Sequence, residues 1–487
     1  MSVINIGNRR EVLWDDFLID NERTTATQVL NHPEKKEIVA VLDKPWEGDS
    51  FSYPHIVRLG NKYMMYFVTT ISDLSKMVSK DGIAEELVHT VSCLESKDGI
   101  HWKRPKLKNA KWMDFEENNI IMKDWVDNFF VFIDENPDCP EDEKIKALQG
   151  TEFTRDEFNT MSAKLRLHTS ADGIHFKRQG RVLEKGQFDT LNTAHWNSEM
   201  QKYMCFHRRV VDGVRSVYYA ESKDFKNWTD IQPLSYSDGH NFALYTNGVE
   251  RYYRAPHILM GLPTRYVERE EWTPNYDQLP DVDGRKERMK AQPRYGLATT
   301  DSMFMTSRDG KSWSRFAEAF LTPGTENGQN WAYGDCYLSH GMIETKDENG
   351  NPEISFFAGE GEWQKGKPAQ LRRYTIRLDG FASYCGKYDE LQNVITKPII
   401  FDGNTMEINF KTSAMGSVYV NLLDENANRI PEFEGIELFG DSTSRTVYFK
   451  NGCDVSKLSG KPVRVAFQLK DAHIYSFRFF DSTAKKN

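Results

Sequence analysis

One short turn occurs four times in this chain, and that repetition limits the possible architecture more than any other feature. The segments are Ser96-Lys97-Asp98-Gly99-Ile100-His101-Trp102, Ser170-Ala171-Asp172-Gly173-Ile174-His175-Phe176, Ser222-Lys223-Asp224-Phe225-Lys226-Asn227-Trp228 and Ser307-Arg308-Asp309-Gly310-Lys311-Ser312-Trp313. Their starts lie 74, 52 and 85 residues apart, about one four-stranded blade each with insertions. Asp-Gly supplies the positive φ of a tight hairpin, and Ser and Asp side chains bond the nearby backbone N–H groups. The closing Trp or Phe is then free to tuck between neighbouring blades. The pattern predicts hairpins between the outer strands of a β-propeller. A look-alike at Ser79-Lys80-Asp81-Gly82 lacks the aromatic and reads as part of an insertion in the first blade.

Apolar, β-rich runs precede each turn and count the inner strands. They include His55–Phe67, Phe129–Ile133, Thr193–Trp196 and Phe242–Tyr245, and a fifth, turn-less blade reads from Tyr337–Ile343 and Ile354–Ala358. Glu11–Trp14 is a candidate for closing the ring. Long polar loops near 71–89 and 264–295 read as covering a face or touching another subunit, which leaves a homo-oligomer open. After Asp389 the turn disappears and short alternating strands follow. The expectation is an all-β chain: a five-bladed propeller over 1–388, then a β-sandwich over 389–487.

Composition removes several function classes. A net charge of -9 opposes nucleic acid as a partner. No segment has transmembrane length and the N-terminus lacks an apolar signal core, so no membrane partner and a cytoplasmic location are expected. The 6 cysteines are scattered without a Cys-x-x-Cys pair. Neither a Gly-rich phosphate loop nor a nucleophile elbow occurs, and His-x-His spacing is missing, so no cofactor and no metal are expected.

Trp14-Asp15-Asp16-Phe17, Pro45-Trp46-Glu47-Gly48, the four turns, Phe188-Asp189-Thr190-Leu191-Asn192, Ala255-Pro256-His257 and Phe304–Gly310 together resemble a group of bacterial proteins. These are described as hypothetical glycosyl hydrolases of the five-bladed propeller superfamily, related to invertases, arabinanases and mannoside phosphorylases. The resemblance covers most of the chain. It implies an active site at the axis, built from acids near the starts of inner strands. Arabinanase-type enzymes begin blade one with Asp-Pro, where this chain has Tyr53-Pro54, and the invertase motifs are missing, which lowers fructosidase activity.

Glycoside cleavage needs two carboxyl groups flanking the scissile bond, one to give a proton and one to attack or to activate water. Acids at inner-strand starts are Asp49, Asp127, Asp189 and Asp335, with Glu360 as a further candidate for the general acid. Tyr53, His55, Asn192, His195, Arg208, Arg254, His257, Trp331, His340 and Arg372 are the candidate substrate-binding residues. Each Asp also reads as a turn or cap residue, and each His as a satisfied polar side chain. The leading expectation is an exo-acting glycoside hydrolase on small oligosaccharides or glycosides. The alternatives are a glycoside phosphorylase using inorganic phosphate and a carbohydrate-binding propeller without catalysis.

Overall fold

The computed structural model describes residues 3–48, 50–71, 88–112, 115–123, 128–150, 155–362, 364 and 367–482. The chain divides into two compact units. One comprises Pro33–Arg251 and His257–Thr375, the other Met1–His32, Tyr252–Pro256 and Ile376–Asn487.

The first unit is a ring of five sheets, antiparallel except where Ser235–Tyr236 pairs in parallel with Ser312–Arg315. Blade one runs Ser50–Leu59, Lys62–Ile71, Val88–Ser96 and Ile120–Lys123. Blade two runs Phe130–Ile133, Ile145–Gly150, Leu165–Ser170 and Lys177–Leu183. Blade three runs Thr193–Asn197, Lys202–Val211, Val214–Ser222 and Gln232–Pro233. Blade four has Val249–Arg251 innermost, followed by Leu259–Gly261, Met305–Ser307 and Ser312–Arg315. Blade five runs Ile343–Lys346, Pro352–Glu360 and Gln370–Arg377, and its outermost strand is Glu34–Val41 from the start of the unit. The ring is therefore closed by Glu34–Val41. Glu11–Val12, expected in that role, pairs instead with Val463–Phe480 in the second unit. The expectation went astray because Glu34-Lys35-Lys36-Glu37 hides the strand behind charge, while Glu11–Trp14 looks apolar.

Every repeated turn joins the third and fourth strands of its blade. At the first, Ser96 Oγ accepts the Gly99 N–H (2.9 Å), and Asp98 Oδ1 accepts those of Ile100 (2.9 Å) and His101 (2.8 Å). The same bonds recur at Ser170/Asp172 and Ser307/Asp309. Although desolvation opposes it, these bonds hold the Asp98 and Asp172 carboxyls well below the usual range. The aromatics then pack on the preceding blade: Trp102 on Phe357 (5.5 Å), Phe176 on Tyr66 (6.4 Å) and Trp313 on Phe206 (6.2 Å). Phe225 replaces the glycine in the third turn at φ 61°, and its ring packs 5.8 Å from Phe132 of blade two. The look-alike at Ser79 lies outside the described residues.

The loop between 264 and 295 is structured. Thr264–Val267 pairs with Thr299–Ser302, and between them stands the helix Val282–Ala291, with Arg285 and Arg288 buried. No helix among the described residues is long and apolar enough to cross a membrane.

The second unit is a single nine-stranded sheet by hydrogen bonding. Thr405–Asp424 and Val463–Phe480 pair along their lengths, with a register break between Thr412 and Ser417. Ile408, Phe410, Val418, Leu422, Val465, Leu469, Ile474 and Phe477 all enter one core. Both halves of each long strand feed that core, so the sheet wraps around it. Asp379 is its buried ionic centre, accepting from Tyr252 Oη (2.6 Å), Arg254 Nε (2.8 Å) and Ser476 Oγ (2.6 Å).

Candidate active site at the starts of the inner strands

Inner strands run side by side around the ring, and polar side chains just before or within them stitch each blade to the next. Asn128 Nδ2 donates to the Phe188 carbonyl (2.9 Å), and Asn192 Nδ2 to Asn128 Oδ1 (3.2 Å). Thr193 Oγ1 donates to Asn247 Oδ1 (2.8 Å), and Asn247 Nδ2 to the Leu191 carbonyl (3.0 Å). Three blades thus each place an Asn at the entry to the inner strand. Asn128 and Asn247 are residues that sequence reasoning missed. The recurrence of Asn ahead of an apolar run was the available signal.

The histidines belong to the same stitching. His55 Nε2 accepts the Val131 N–H (2.8 Å), so Nδ1 carries the proton and donates to the Tyr53 carbonyl (2.9 Å). His340 Nε2 bonds the Val249 carbonyl (2.9 Å). Burial drives His55 down to about 3 and His340 to about 4, so both are neutral spacers between blades. His195 stacks on Phe206 at 5.7 Å, and both of its ring nitrogens are sealed without a hydrogen-bond partner. His257 is half-buried, one residue beyond the Tyr252–Pro256 excursion.

At the entry to blade three the chain turns through Phe188 at φ 51° and presents Asp189. Asp189 Oδ2 accepts from Arg208 Nη2 at 2.6 Å, while Oδ1 is buried with no hydrogen-bond partner. Arg208 donates further to the Tyr245 carbonyl (3.2 Å) and lies over the Tyr245 ring at 4.5 Å. Tyr245 is the hub of a tyrosine cluster. Tyr337, Tyr266 and Tyr333 have ring centres 5.2, 5.9 and 6.2 Å from it, and Tyr333 Oη donates to Tyr245 Oη at 3.1 Å. Tyr53, at φ 58°, interacts electrostatically with both Arg208 and Tyr337. Of these, Asp189, Tyr53 and Arg208 were expected from sequence. The four other tyrosines come from blades four and five and from the 264–295 insertion, and no local spacing connects them.

Before blade five, Trp331 (φ 62°), Gly334 (φ 102°) and Cys336 (φ 60°) hold a left-handed loop around Asp335. At the two non-glycine positions, Trp331 and Cys336, such strain is of order 1–3 kcal/mol per residue and persists where the surroundings over-determine it. Asp335 is 3% exposed, and its Oδ2 accepts the Ala332 N–H at 2.8 Å. Burial pushes its carboxyl up to about 7, the Glu360 charge adds to that, and backbone N–H groups with Arg285 oppose it. Glu360 behaves in the opposite way. Burial works against its charge, but hydrogen bonds from Arg372 (2.7 Å) and an ion pair with Lys35 (2.7 Å) hold it below the usual range. Two electrostatically linked carboxyls are therefore shifted in opposite directions, Asp335 up and Glu360 down.

The remaining candidates are placed as follows. Asp49 and Asp127 lie outside the described residues. Trp331 donates its indole N–H to the Gly324 carbonyl (2.8 Å), and Arg372 is engaged with Glu360 and the Lys36 carbonyl (2.6 Å). Arg254 directs its Nε to Asp379, in the second unit. Glu362 is buried and accepts from Ser50 Oγ and the Phe51 N–H, both at 3.1 Å, next to Asp49 in the chain. Among the described residues no three His, Cys, Asp or Glu side chains gather as metal ligands.

No family model and no curated protein matches this chain. Solved structures resemble it loosely. An N-acetylgalactosamine deacetylase from F. plautii, in complex with blood group B trisaccharide, aligns at TM-score 0.44 and 13% identity, over 71% of this chain and 94% of that one. A GH130 structure, from a family of mannoside phosphorylases that contains glycoside hydrolases, aligns at 0.41 and 13%, over 72% and 96%. The Bombyx mori GH32 beta-fructofuranosidase aligns at 0.41 and 10%, over 93% and 95%. The five-bladed ring rests on the strand pairings given above, independently of these likenesses.

Proposed function

We propose that the ring is a glycoside hydrolase, exo-acting on small oligosaccharides or glycosides, with its chemistry at the starts of the inner strands. The observation that carries this reading is the contrast between a buried carboxyl, Asp335, and a half-buried one, Asp189. Asp335 holds its proton up to about 7, as a general acid must, while Asp189 presents a carboxylate against Arg208 at 2.6 Å. Asp335 would protonate the leaving glycosidic oxygen. Asp189 would attack the anomeric carbon or draw a proton from water. Glu360, held charged by Arg372 and Lys35, would sustain the proton on Asp335 by like-charge repulsion.

Leaving-group dependence tests the assignment. A glycoside with a good leaving group, such as a dinitrophenolate, needs little protonation, while a sugar leaving group needs it fully. Asp335→Asn is expected to lose at least about 100-fold against oligosaccharides and far less against the activated glycoside. Equal losses on both substrates would remove Asp335 from the acid role. Undiminished turnover in Asp189→Asn would remove Asp189 from the site.

A further inference from the structure

The chain is acidic overall, yet the tyrosine cluster beside Asp189 is rich in guanidinium groups. Arg208, Arg215 and Arg294 all point into it. Arg215 lies 4.4 Å over the ring of Tyr266 and 5.7 Å from that of Tyr245, and Arg294 lies 5.1 Å over Tyr295, whose ring is 5.5 Å from Tyr333. Three arginines of blade four and its insertion carry carboxylate partners, Arg265 with Asp301 (2.6 Å), Arg288 with Asp281 (2.8 Å) and Arg315 with Asp238 (2.6 Å), while Arg285 of the insertion helix donates to the Pro280 and Gly296 carbonyls. Arg208 has Asp189. Among the described residues, Arg215 and Arg294 have no ion pair. Arg215 Nε is buried without a hydrogen-bond partner, and Arg294 bonds neutral groups, the Gln292 Oε1 (2.8 Å) and the Tyr295 side chain. Glu268, near Tyr266, is exposed.

The tyrosines do not supply the missing negative charge. Burial pushes the Tyr266 hydroxyl up to about 12 and those of Tyr333 and Tyr337 well above 10, so all three remain neutral phenols. The Tyr266 and Tyr337 hydroxyls are buried with no hydrogen-bond partner. A guanidinium stacked on an aromatic face keeps its N–H edge for a planar oxyanion. Orphaned donors, two cations without ion pairs and a corner of rings, with Tyr333 standing edge-on to Tyr245 and Tyr266, form a receptor for a small anionic group.

We propose that Arg215 and Arg294, in the corner of Tyr245, Tyr266 and Tyr333, bind an oxyanion of the substrate, and that the substrate is a glycan carrying a uronic acid. The proposal deepens the glycoside-hydrolase reading and rests on it for the presence of a sugar. An inorganic phosphate co-substrate presents the same chemistry, and the test separates the two sources.

Binding to the full chain is measured calorimetrically with D-glucuronate and D-galacturonate, with glucose and galactose as neutral counterparts, and with inorganic phosphate. Uronates are expected to bind at least about tenfold tighter than the neutral sugars, equivalent to about 1.4 kcal/mol, and Arg215→Gln is expected to erase the difference. Arg294→Gln, at a half-exposed residue, is expected to reduce it and keeps the test valid should Arg215→Gln fold poorly. Binding of phosphate alone would keep the oxyanion site and reassign its ligand to a free ion. Binding of no anion, or equal uronate and neutral-sugar binding in all proteins, would overturn the proposal. These readouts need no turnover. A chain that binds uronates and cleaves nothing loses the hydrolase reading and keeps this one, and a chain that cleaves only neutral glycosides does the reverse.

Discussion

Asp189 and Arg208 meet at 2.6 Å at the entry to blade three, and neither has a second ionic partner among the described residues. Removing one member leaves the other charge buried. Arg208→Met is therefore expected to cost about 3–5 kcal/mol of stability, whereas a double Arg208→Met, Asp189→Leu variant recovers most of it while remaining inactive. Denaturant unfolding of the two variants against the parent protein measures this.

The Asp335 carboxyl makes turnover and stability depend on pH in one direction. Its folded value, about 7, is above the ordinary carboxylate value near 3.9, so the protonated form is the one the fold prefers. The contribution is complete below about pH 4 and is lost as pH rises through about 7, at roughly 1.4 kcal/mol per unit. Turnover is expected to fall through the same upper limit. Asp335→Asn should be more stable than the parent protein at pH 8 and show no such advantage at pH 4.

The buried histidines act in the opposite sense. His55 and His195 lie at about 3, and His207 and His340 at about 4, all depressed by burial from 6.5. Their contribution is present above about 6.5 and is lost as pH falls, because the unfolded chain takes up protons that the fold refuses. With His89, His168 and His473, also depressed to about 4 by burial, these groups outweigh one Asp335, so unfolding midpoints are expected to drop steeply between pH 6.5 and 4. His55→Gln should reduce the slope of that drop by about 1.4 kcal/mol per unit, together with a general loss of about 1–3 kcal/mol from the orphaned Val131 N–H.

Gly173 and Gly213 share a left-handed backbone, at φ 75° and 79°, but differ in surroundings. A Cβ at 173 would stand 2.5 Å from Leu59 Cδ1 and 2.6 Å from Tyr66 Oη, while nothing lies within 4 Å at 213. Gly213→Ala is expected to cost about 1 kcal/mol, from backbone strain alone. Gly173→Ala adds a wedge between blades one and two and is expected to cost a further 1–3 kcal/mol or so. Thermal unfolding of the pair isolates the inter-blade term.

The architecture was legible because each blade repeats a local device. Ser-x-Asp-Gly fixes its turn with bonds spanning two or three residues, and such bonds show in a linear pattern. Asp189 and Asp335 became candidates because acids were sought at the entries to inner strands, and Glu360 because it follows the apolar run of a blade-five strand. The tyrosine cluster was hidden because Tyr245, Tyr266, Tyr333 and Tyr337 meet only through the ring, and Arg215 and Arg294 stand among them by the same long-range route. Two of the histidines expected to meet a sugar are engaged with backbone instead: His55 bonds the Val131 N–H and His340 the Val249 carbonyl of neighbouring blades. Arg254 sits beside a propeller strand in the chain, and nothing local reveals that its partner Asp379 is 125 residues away.

Glu34–Val41 must find Gln370–Arg377 across a separation of 336 residues, the span between Lys36 and Arg372. During synthesis this segment emerges first and waits for the rest of the ring, about 17 seconds at the fastest ordinary elongation and over a minute at the slowest. Through that interval it is an unpaired edge in a crowded cell. Glu34, Lys35, Lys36 and Glu37 line its leading half, and such charges discourage pairing with a stranger's sheet. The latch that completes the molecule is thus also its longest-exposed liability, and newly made chains should aggregate more readily when those four residues are made neutral.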